Sequence, residues 1–323
     1  MVDLSLTENK AARLEQFQTL LPDVRHYIRQ HAPLDWTELM SVLSVVIDKP
    51  LGPLSILPLA SCAAVGGNPK TAIPLAAAWE VLHIAMRILD DLQDRDTVDG
   101  LWIKVGVSRA FNYSAALYTL CNELLAQAPW SAELCRTITQ TFTQAGLRLL
   151  AGQDRDLRGE TRTLEDYWRT IEGKNAMAFS FICAAGAICG TGDTVLIQAC
   201  RTFGHHLGLA LQLFDDFEGF WKPSGLNDLA MGKITLPVLY GLSVEHEERN
   251  ELQALVNDNN LAVHVDRIRT ILDKIHTRDF MIWAALQERK QAIAALNPCP
   301  GQDGVTALSA YMTTIFCHIE DVL

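Results

Sequence analysis

The chain has 323 residues, of which 49% are hydrophobic and 20% are charged, so it is long and apolar enough to bury a large core. Its 27 basic and 38 acidic residues give a formal net charge of −11, and no long basic run stands against this acidic balance. These values exclude an intrinsically disordered chain and argue against nucleic acid as a partner.

Cysteine usage and hydropathy indicate a cytoplasmic protein. The eight cysteines contain no CxxC pair, and most lie inside apolar helical runs, so we expect reduced core residues. The N-terminus lacks a basic region followed by an apolar block, so no signal peptide is expected. The longest uncharged apolar stretch, 176–191, is shorter than the roughly 20 residues that a spanning helix needs, so we predict no transmembrane segment.

Helical periodicity dominates the chain, and alternating strand patterns are lacking, so the predicted fold class is all-α. No low-complexity linker or tandem repeat divides it, which favours one domain over residues 1–323. Pro, Gly and capping residues set the predicted boundaries. The predicted helices cover about 8–31, 35–48, 54–66, 69–94, 105–127, 131–152, 163–190, 193–220, a short segment around Pro237, 245–257, 260–275, 278–296 and 304–320.

One of these helices ends in three acids. The apolar run that starts at Leu82 leads into Asp90, Asp91 and Asp94. Asp90 and Asp94 are four residues apart and share a helical face, where two like charges are destabilising unless a cation neutralises them. They also lie at the predicted C-terminal end, where the macrodipole already disfavours carboxylates. A purely structural helix would avoid this pattern, which predicts a cation site.

The same arrangement recurs about 120 residues later. An apolar run from Leu209 leads into Asp215, Asp216 and Glu218. If the two acid-bearing ends face each other, they form a site for Mg²⁺, which prefers oxygen ligands and fills its other positions with water and phosphate oxygens. Metals and lysines can stabilise a departing diphosphate, while an apolar pocket shelters the carbocation that remains.

Four blocks of the chain resemble the trans-isoprenyl diphosphate synthase (polyprenyl synthetase) family. The acid run 90–94 matches the first aspartate-rich motif, and 173–176 resembles the Lys-Thr helix. The run 203–216 is similar to the family's Gly-x-x-Leu-Gly-x-x-x-Gln-x-x-Asp-Asp helix, and 228–237 to its loop-to-helix block. This resemblance implies one large helical bundle with a central active-site cavity, and a homodimer.

The resemblance also implies roles for individual residues. The acids would hold a cluster of about three Mg²⁺ ions that bridges an allylic prenyl diphosphate. The implied metal ligands are Asp90, Asp91, Asp94, Asp215, Asp216 and Glu218, with Asp90, Asp94, Asp215 and Lys174 essential for catalysis. The implied diphosphate-binding residues are Lys174, Gln212, Lys222, Lys233 and Arg95, and Gln212 would also face the reacting carbons.

The prenyl tail should follow the first acid-bearing helix back from its acids. Met86, Ala85, Leu82 and Ala78 recur there at spacings of one, three and four residues and would line the tail. Ala85 lies five positions before Asp90, where family members that stop at short chains often carry an aromatic residue. Because a small residue leaves room in a close-packed interior, a tail of about 15 carbons or more should be accepted.

Two departures concern basic residues that elongating members of the family use for isopentenyl diphosphate. The arginine of a Gly-Gly-Lys-x-x-Arg-Pro block is missing from 48–53, and only Arg95 remains of an Arg-Arg pair after the first motif. In the second motif, Gly219 stands where the last Asp belongs. These departures resemble a divergent branch that includes ComQ-type isoprenyltransferases of bacterial quorum sensing, and terpene synthases on the same fold.

We therefore predict a prenyltransferase whose acceptor is not isopentenyl diphosphate. We expect an acceptor without a diphosphate group, because Arg is the residue type that binds a second diphosphate strongly and the arginines of both basic blocks are missing or reduced to Arg95. The sequence does not identify that acceptor. A terpene cyclase, an ordinary chain-elongating synthase and a silent subunit of another synthase are the alternatives. Retention of the acids and of Lys174 and Lys233 argues against a silent subunit.

Overall fold

The computed structural model describes residues 14–33, 35–48, 53–94, 100–159, 161–221, 229, 233–258 and 260–320, and their side chains except at 45, 46, 53, 94 and 315–320. Within these ranges the regular structure is helical and contains no strand, which confirms the all-α prediction. The helices are α1 (Leu21–His31), α2 (Thr37–Ile47), α3 (Ile56–Ala64), α4 (Ile73–Asp94), α5 (Leu101–Val105), α6 (Val107–Ala126), α7 (Ala132–Leu157), α8 (Leu164–Ile171), α9 (Met177–Ile188), α10 (Thr194–Trp221), α11 (Leu236–Ser243), α12 (Arg249–Val256), α13 (Val265–Lys274), α14 (Thr277–Ala295) and α15 (Gln302–Glu320).

The chain divides into two compact units. Unit 1 comprises residues 1–144, 181–203 and 295–317, and unit 2 comprises 145–180, 204–294 and 318–323. Each unit is formed from several separate stretches of the chain. The prediction of a single domain over 1–323 stays a prediction.

Helix α4 and helix α6 form the main packed pair of unit 1. Small side chains let them approach, since Ala78 and Ala85 are both fully buried. The two helices are also joined by polar contacts. The Ser114 hydroxyl donates to the carbonyl oxygen of Ala85 at 2.7 Å, and the Cys121 thiol donates to that of Ala78 at 3.3 Å. Helix α4 is therefore fixed along its length before it reaches the acids at its end.

Unit 2 has its own apolar core, built from α10, α11, α12, α13 and the residue Leu229. Its buried members are Phe220, Leu229, Val238, Leu252, Ile268, Ile271 and Leu272. This core anchors the C-terminal end of α10, which carries the second acid cluster, to the start of α11. Burying each such side chain contributes about 1.5–3 kcal/mol, so the position of this end is well supported.

The boundary between α8 and α9 is a short π-helix, Glu172–Ala176. A capping box at Thr163 starts α8, at the residue where the sequence places the start of this helix: Thr163 Oγ1 accepts from the Asp166 amide at 3.1 Å, and Asp166 Oδ2 accepts from the Thr163 amide at 3.2 Å. The sequence predicted one continuous helix from there to residue 190. A π segment inserts an extra residue into a turn, and such segments are frequent at functional sites.

Other boundaries differ from the sequence expectation for identifiable reasons. Helix α5 lies in the segment between the helices predicted at 69–94 and 105–127, where the sequence predicts a loop. The prediction missed it because Gly100 and Gly106 flank a run of only five residues, which is too short to show helical periodicity. Helix α7 continues five residues past Gly152 to Leu157, since an isolated Gly lowers helix stability without ending the helix. The helix predicted at 8–31 contains a turn at residues 19–20, ahead of Pro22 in the first turn of α1.

Residues Pro69–Gln93 form a stretch long and apolar enough to cross a membrane by length and composition alone, and 67% of its most apolar window is buried within the protein. Core helices of soluble proteins meet the same criterion. The prediction of no transmembrane segment stays a prediction.

Candidate active site

The first acid cluster occupies the last turns of α4. Asp90 and Asp91 are partly buried, and Asp94 is the final helical residue. The last turn of α4 contains no basic residue, so the negative end of the helix dipole and the acids reinforce each other. The cation site at this helix end stays a prediction. The side chain of Asp94 and the whole of Arg95 lie outside the described residues.

The second acid cluster separates two neighbouring carboxylates. Asp215 is exposed, whereas Asp216 is only 2% exposed. Both oxygens of Asp216 accept hydrogen bonds from the protein: Oδ1 from Gln212 Nε2 at 2.6 Å, and Oδ2 from the backbone N–H of Leu236 at 3.3 Å. Asp215 therefore offers its carboxylate toward solvent, while Asp216 ties α10 to the start of α11. Glu218 is partly buried on the same helix end.

Tyr167 adds a further buried polar group beside Asp216. Burial raises the pKa of Tyr167 well above its ordinary value, and the negative charges of Asp216 and Asp215 raise it further. The phenol is therefore protonated at neutral pH. A neutral hydroxyl can lie beside a buried carboxylate without like-charge repulsion.

Gln212 is held at both ends of its side-chain amide. Its Nε2 donates to Asp216, and its Oε1 accepts a short hydrogen bond from Asn175 Nδ2 in the π-helix. Neither contact was anticipated, and Asn175 was given no role by the sequence. One signal could have found the network: Gly204, Gly208, Gln212 and Asp216 recur at intervals of four and therefore share one face of α10.

The lysines predicted to bind diphosphate have different surroundings. Lys174, also in the π-helix, pairs with Asp156 of α7 at 3.1 Å. Asp156 thus orients the ammonium group of Lys174. A substrate phosphate would have to draw this group away from Asp156. Lys233 is partly buried just before α11. Lys222 lies outside the described residues.

Two histidines before the second cluster have a packing role. His206 Nδ1 contacts Glu288 Oε2 at 2.7 Å, and the rings of His205 and His206 meet edge to face with centroids 5.2 Å apart. Burial, and secondarily the neighbouring His206, lower the pKa of His205.

The donor set fits Mg²⁺ as part of a substrate complex. Within the described part of the chain, no three His, Cys, Asp or Glu side chains converge into a ready-made metal site. Mg²⁺ usually takes only one or two carboxylates and completes its octahedron with water and substrate phosphates. Exposed Asp215 and partly buried Asp90 and Asp91 are ligands of this kind. The predicted roles of all site residues remain predictions.

The residues predicted to line the prenyl tail are all on α4 in unit 1. Ala78, Leu82 and Ala85 are buried, and Met86 is partly buried. Three of the four thus belong to the interior between α4 and its neighbours, and their role as a tail wall stays a prediction. The first acid cluster belongs to unit 1 and the second to unit 2, and the prediction that they face each other stays a prediction.

Comparison with known proteins gives the family. The sequence model of the polyprenyl synthetase family matches residues 49–275. The geranylgeranyl diphosphate synthase of Mycobacterium tuberculosis is 34% identical over 266 residues, which cover 77% of this chain and 75% of that protein.

Solved structures give the same fold. A geranylgeranyl pyrophosphate synthetase from Pyrococcus horikoshii superposes with a TM-score of 0.83 at 24% identity, covering 95% of this chain and 98% of its own. A polyprenyl synthase from Caulobacter crescentus, complexed with calcium and isoprenyl diphosphate, has a TM-score of 0.75 at 20% identity and covers 94% of this chain and 96% of its own. At these identities the structures establish the fold alone. By its sequence, the chain belongs to the polyprenyl synthetase family and is a prenyltransferase.

Proposed function

We propose that this enzyme ionises an allylic prenyl diphosphate of about 15 carbons or more in a Mg²⁺-dependent reaction and transfers the prenyl group to an acceptor. The observation that carries the proposal is the second cluster. In a chain of this family, α10 presents exposed Asp215 beside Asp216, which two protein donors hold in place. A buried, anchored neighbour fixes the helix end that carries the exposed carboxylate.

Each group then has a task in bond cleavage. Bound Mg²⁺ would neutralise the charge that develops on the departing diphosphate. Asp90, Asp91 and Asp94 would hold it at the end of α4, and Asp215 and Glu218 at the end of α10. Asp216 lies next to Asp215 and anchors α10. A polyprenyl synthase of the same fold, from Caulobacter crescentus, was solved with calcium and isoprenyl diphosphate, which supports a divalent metal and a diphosphate ligand.

The lysines would bind the diphosphate directly. Lys174 would exchange Asp156 for a phosphate oxygen, and Lys233, Lys222 and Arg95 would add further positive charge. Charge-assisted hydrogen bonds of this type are about twice as strong as neutral ones. A net charge of −11 makes these few cations important, because the rest of the protein repels an anionic substrate.

We further propose that the acceptor is not isopentenyl diphosphate. The sequence has Gly52 where the family's block carries Arg, and it keeps only Arg95 of the pair after the first motif. Each lost charge-assisted hydrogen bond costs on the order of 1.5–3 kcal/mol, so losing two weakens binding about a hundredfold or more. Arg109, a possible substitute, donates to the Tyr113 hydroxyl at 2.7 Å instead.

Chain elongation is the second candidate, and the sequence relationship favours it. The 34% identical relative from Mycobacterium tuberculosis is named a geranylgeranyl diphosphate synthase. In that case the product would be about five carbons longer than the substrate, and Lys49, Lys104 or Arg109 would supply the positive charge that binds the second diphosphate.

One experiment separates these functions. The purified chain is incubated with Mg²⁺ and geranyl or farnesyl diphosphate, with and without isopentenyl diphosphate, while diphosphate release is measured and the extract is analysed by mass spectrometry. We expect release in both reactions and little change in product, which should be a prenyl alcohol, a cyclised hydrocarbon or, with an added nucleophile such as an indole, a prenylated acceptor. Efficient formation of a longer diphosphate would establish elongation. No release under any condition would indicate a silent subunit.

The family also leads us to propose a homodimer. Light scattering of the purified chain on a sizing column would measure its mass directly, and 35.8 kDa would correspond to a monomer.

A further inference from the structure

Gly204, Gly208, Gln212 and Asp216 form a stripe along one face of α10, which contacts α9 at Gly204 and the π-helix at Gly208 and Gln212. A Cβ atom on Gly204 would lie 2.1 Å from the carbonyl oxygen of Phe179, and one on Gly208 would lie 2.6 Å from the carbonyl oxygen of Asn175. Real Cβ atoms do not approach backbone this closely. The backbone of α10 is therefore in direct contact with the backbone of the segment 175–180. This contact fixes the distance between the two segments near Gln212.

One turn further along, a hydrogen-bond chain of fixed direction begins. Asp216 can only accept when ionised, and its Oδ2 takes the Leu236 N–H. Its Oδ1 therefore needs the NH₂ end of the Gln212 amide, at 2.6 Å. That choice turns Oε1 of Gln212 away from Asp216, so the partner at position 175 has to be a donor. The Asn175 side chain supplies that donor.

We infer that Asn175 is a positioning residue that sets the orientation of the Gln212 amide, and hence the partial charge that Gln212 presents to the reacting carbons. This inference rests on the proposed function and on the position that the family resemblance implies for Gln212, facing those carbons. A free amide would sample two orientations about 180° apart, with a negative oxygen or a positive NH₂ group toward a developing cation. A fixed amide presents one of them in every turnover, which is electrostatic preorganisation.

The π-helix is what brings Asn175 to this place. It puts Lys174 and Asn175 side by side, one paired with Asp156 and the other with Gln212. One short segment thus holds a predicted diphosphate-binding group and the partner of a group predicted to lie at the reacting carbons.

The first test replaces Asn175 by Ala. Since one neutral hydrogen bond contributes about 1 kcal/mol, we expect the kcat of diphosphate release to fall about five- to tenfold. KM for the prenyl diphosphate and the Mg²⁺ concentration for half-maximal rate should change less than about twofold, because Asp216 keeps its bond from Leu236. A loss confined to KM or to the Mg²⁺ requirement would overturn the inference.

A double-mutant cycle tests whether Asn175 acts through Gln212. If it does, Asn175→Ala combined with Gln212→Ala should be no slower than Gln212→Ala alone, because the orientation of a missing amide cannot matter. Additive losses in kcat would contradict a positioning role. Gln253→Ala, which removes an exposed amide from α12 in the same unit, is the matched control and should leave kcat unchanged.

The Asn175→Asp variant gives a readout that a merely structural role would not move. The new carboxyl has the size of the amide but donates a hydrogen bond only when protonated, and nearby Asp216 raises its pKa. The ratio of variant to wild-type kcat should therefore rise as pH falls from about 8 to about 5.5. The same ratio for Asn175→Ala should stay flat. Equal slopes for the two variants would overturn the inference.

The result that would contradict the proposed function differs from the result that would contradict only this inference. If the wild-type chain releases no diphosphate from any allylic substrate, the proposed function is wrong and the inference falls with it. If the wild type is active and Asn175→Ala matches it in kcat, only the inference is wrong. Circular dichroism of each variant confirms folding, and Asn175→Asp keeps the side-chain volume if Asn175→Ala does not fold.

Discussion

Units 1 and 2 hold their acids by different means. In unit 1, Asp90 and Asp91 lie in the last turns of a helix whose buried length is fixed by small apolar residues and by two side-chain hydrogen bonds to its carbonyl oxygens. In unit 2, buried Asp216 is fixed by hydrogen bonds from Gln212 on its own helix and from the Leu236 N–H at the start of α11, and these bonds also position its exposed neighbour Asp215. The position of the first cluster therefore depends on helix packing. The position of the second cluster depends on a hydrogen-bond network that the loss of any one of its side chains would disrupt.

The largest effect should come from the first cluster. Asp90→Ala should lower the kcat of diphosphate release about a hundredfold or more, since a metal contributes several kcal/mol of charge stabilisation. Its Tm should hold or rise, because removing one of several clustered acids relieves repulsion when no metal is bound. Asp23→Ala, at an exposed acid of α1, is the control and should leave kcat unchanged. Near-normal release at saturating Mg²⁺ would show that Asp90 holds no essential metal.

A matched pair of neighbours tests the polar network. Asp215→Ala should reduce diphosphate release without lowering Tm, because its carboxylate is exposed. Asp216→Ala should reduce release and also destabilise the protein by about 1–3 kcal/mol, since it leaves Gln212 and the Leu236 N–H without an acceptor. Thermal unfolding of both variants decides the point. Equal Tm values would mean that Asp216 is not an anchor.

Two alanines on opposite faces of α4 test the tail wall. Ala85→Phe should shift preference toward shorter prenyl diphosphates, while Ala76→Phe, at an equally buried residue nine positions earlier, should not. Overpacking should cost both variants about 1–3 kcal/mol, so the Tm values report burial and the substrate profile reports the wall. Competition between geranyl and farnesyl diphosphate measures the shift. An identical profile for both variants would remove Ala85 from the wall.

The smallest effect concerns thiols, all eight of which lie in unit 1. Burial raises the pKa of Cys62 and of Cys183 to about 12, so both remain thiols at pH 8 and should not react in the native state. Cys299 is partly exposed, and the neighbouring Cys200 thiol lowers its pKa, so it should label early. Mass spectrometry after brief alkylation gives the order. Rapid native labelling of Cys62 or Cys183 would mean that unit 1 opens readily.

Sequence patterns were sufficient for the first cluster and for most helices. The apolar period and the position of Asp90 relative to the helix end follow from local spacing, and the Thr163 capping box is likewise local. The fold class follows from the same periodicity. These features require no knowledge of which elements meet.

The second cluster could be located but not resolved from sequence. Asp215 and Asp216 are chemically identical, and what distinguishes them is the Leu236 N–H, which comes from an element 20 residues further along the chain. The role of Asn175 depends in the same way on Gln212, 37 residues away. The π-helix was missed because its extra residue has no compositional signature, whereas the flanking segments have strong helical periodicity.

The π-helix also constrains how this chain can change in length. A π turn takes one residue more than an α turn, so the extra residue is accommodated within Glu172–Ala176 itself. Deleting one residue there would restore a regular α-helix, and the residues on either side would keep their faces, with Tyr167 beside Asp216 and Ala176 against α10. A deletion elsewhere in α8 or α9 would instead rotate one part of the helix against the other by about 100°. Among related chains, a difference of one residue between Thr163 and Gly204 should therefore fall within the π segment rather than within the flanking helices.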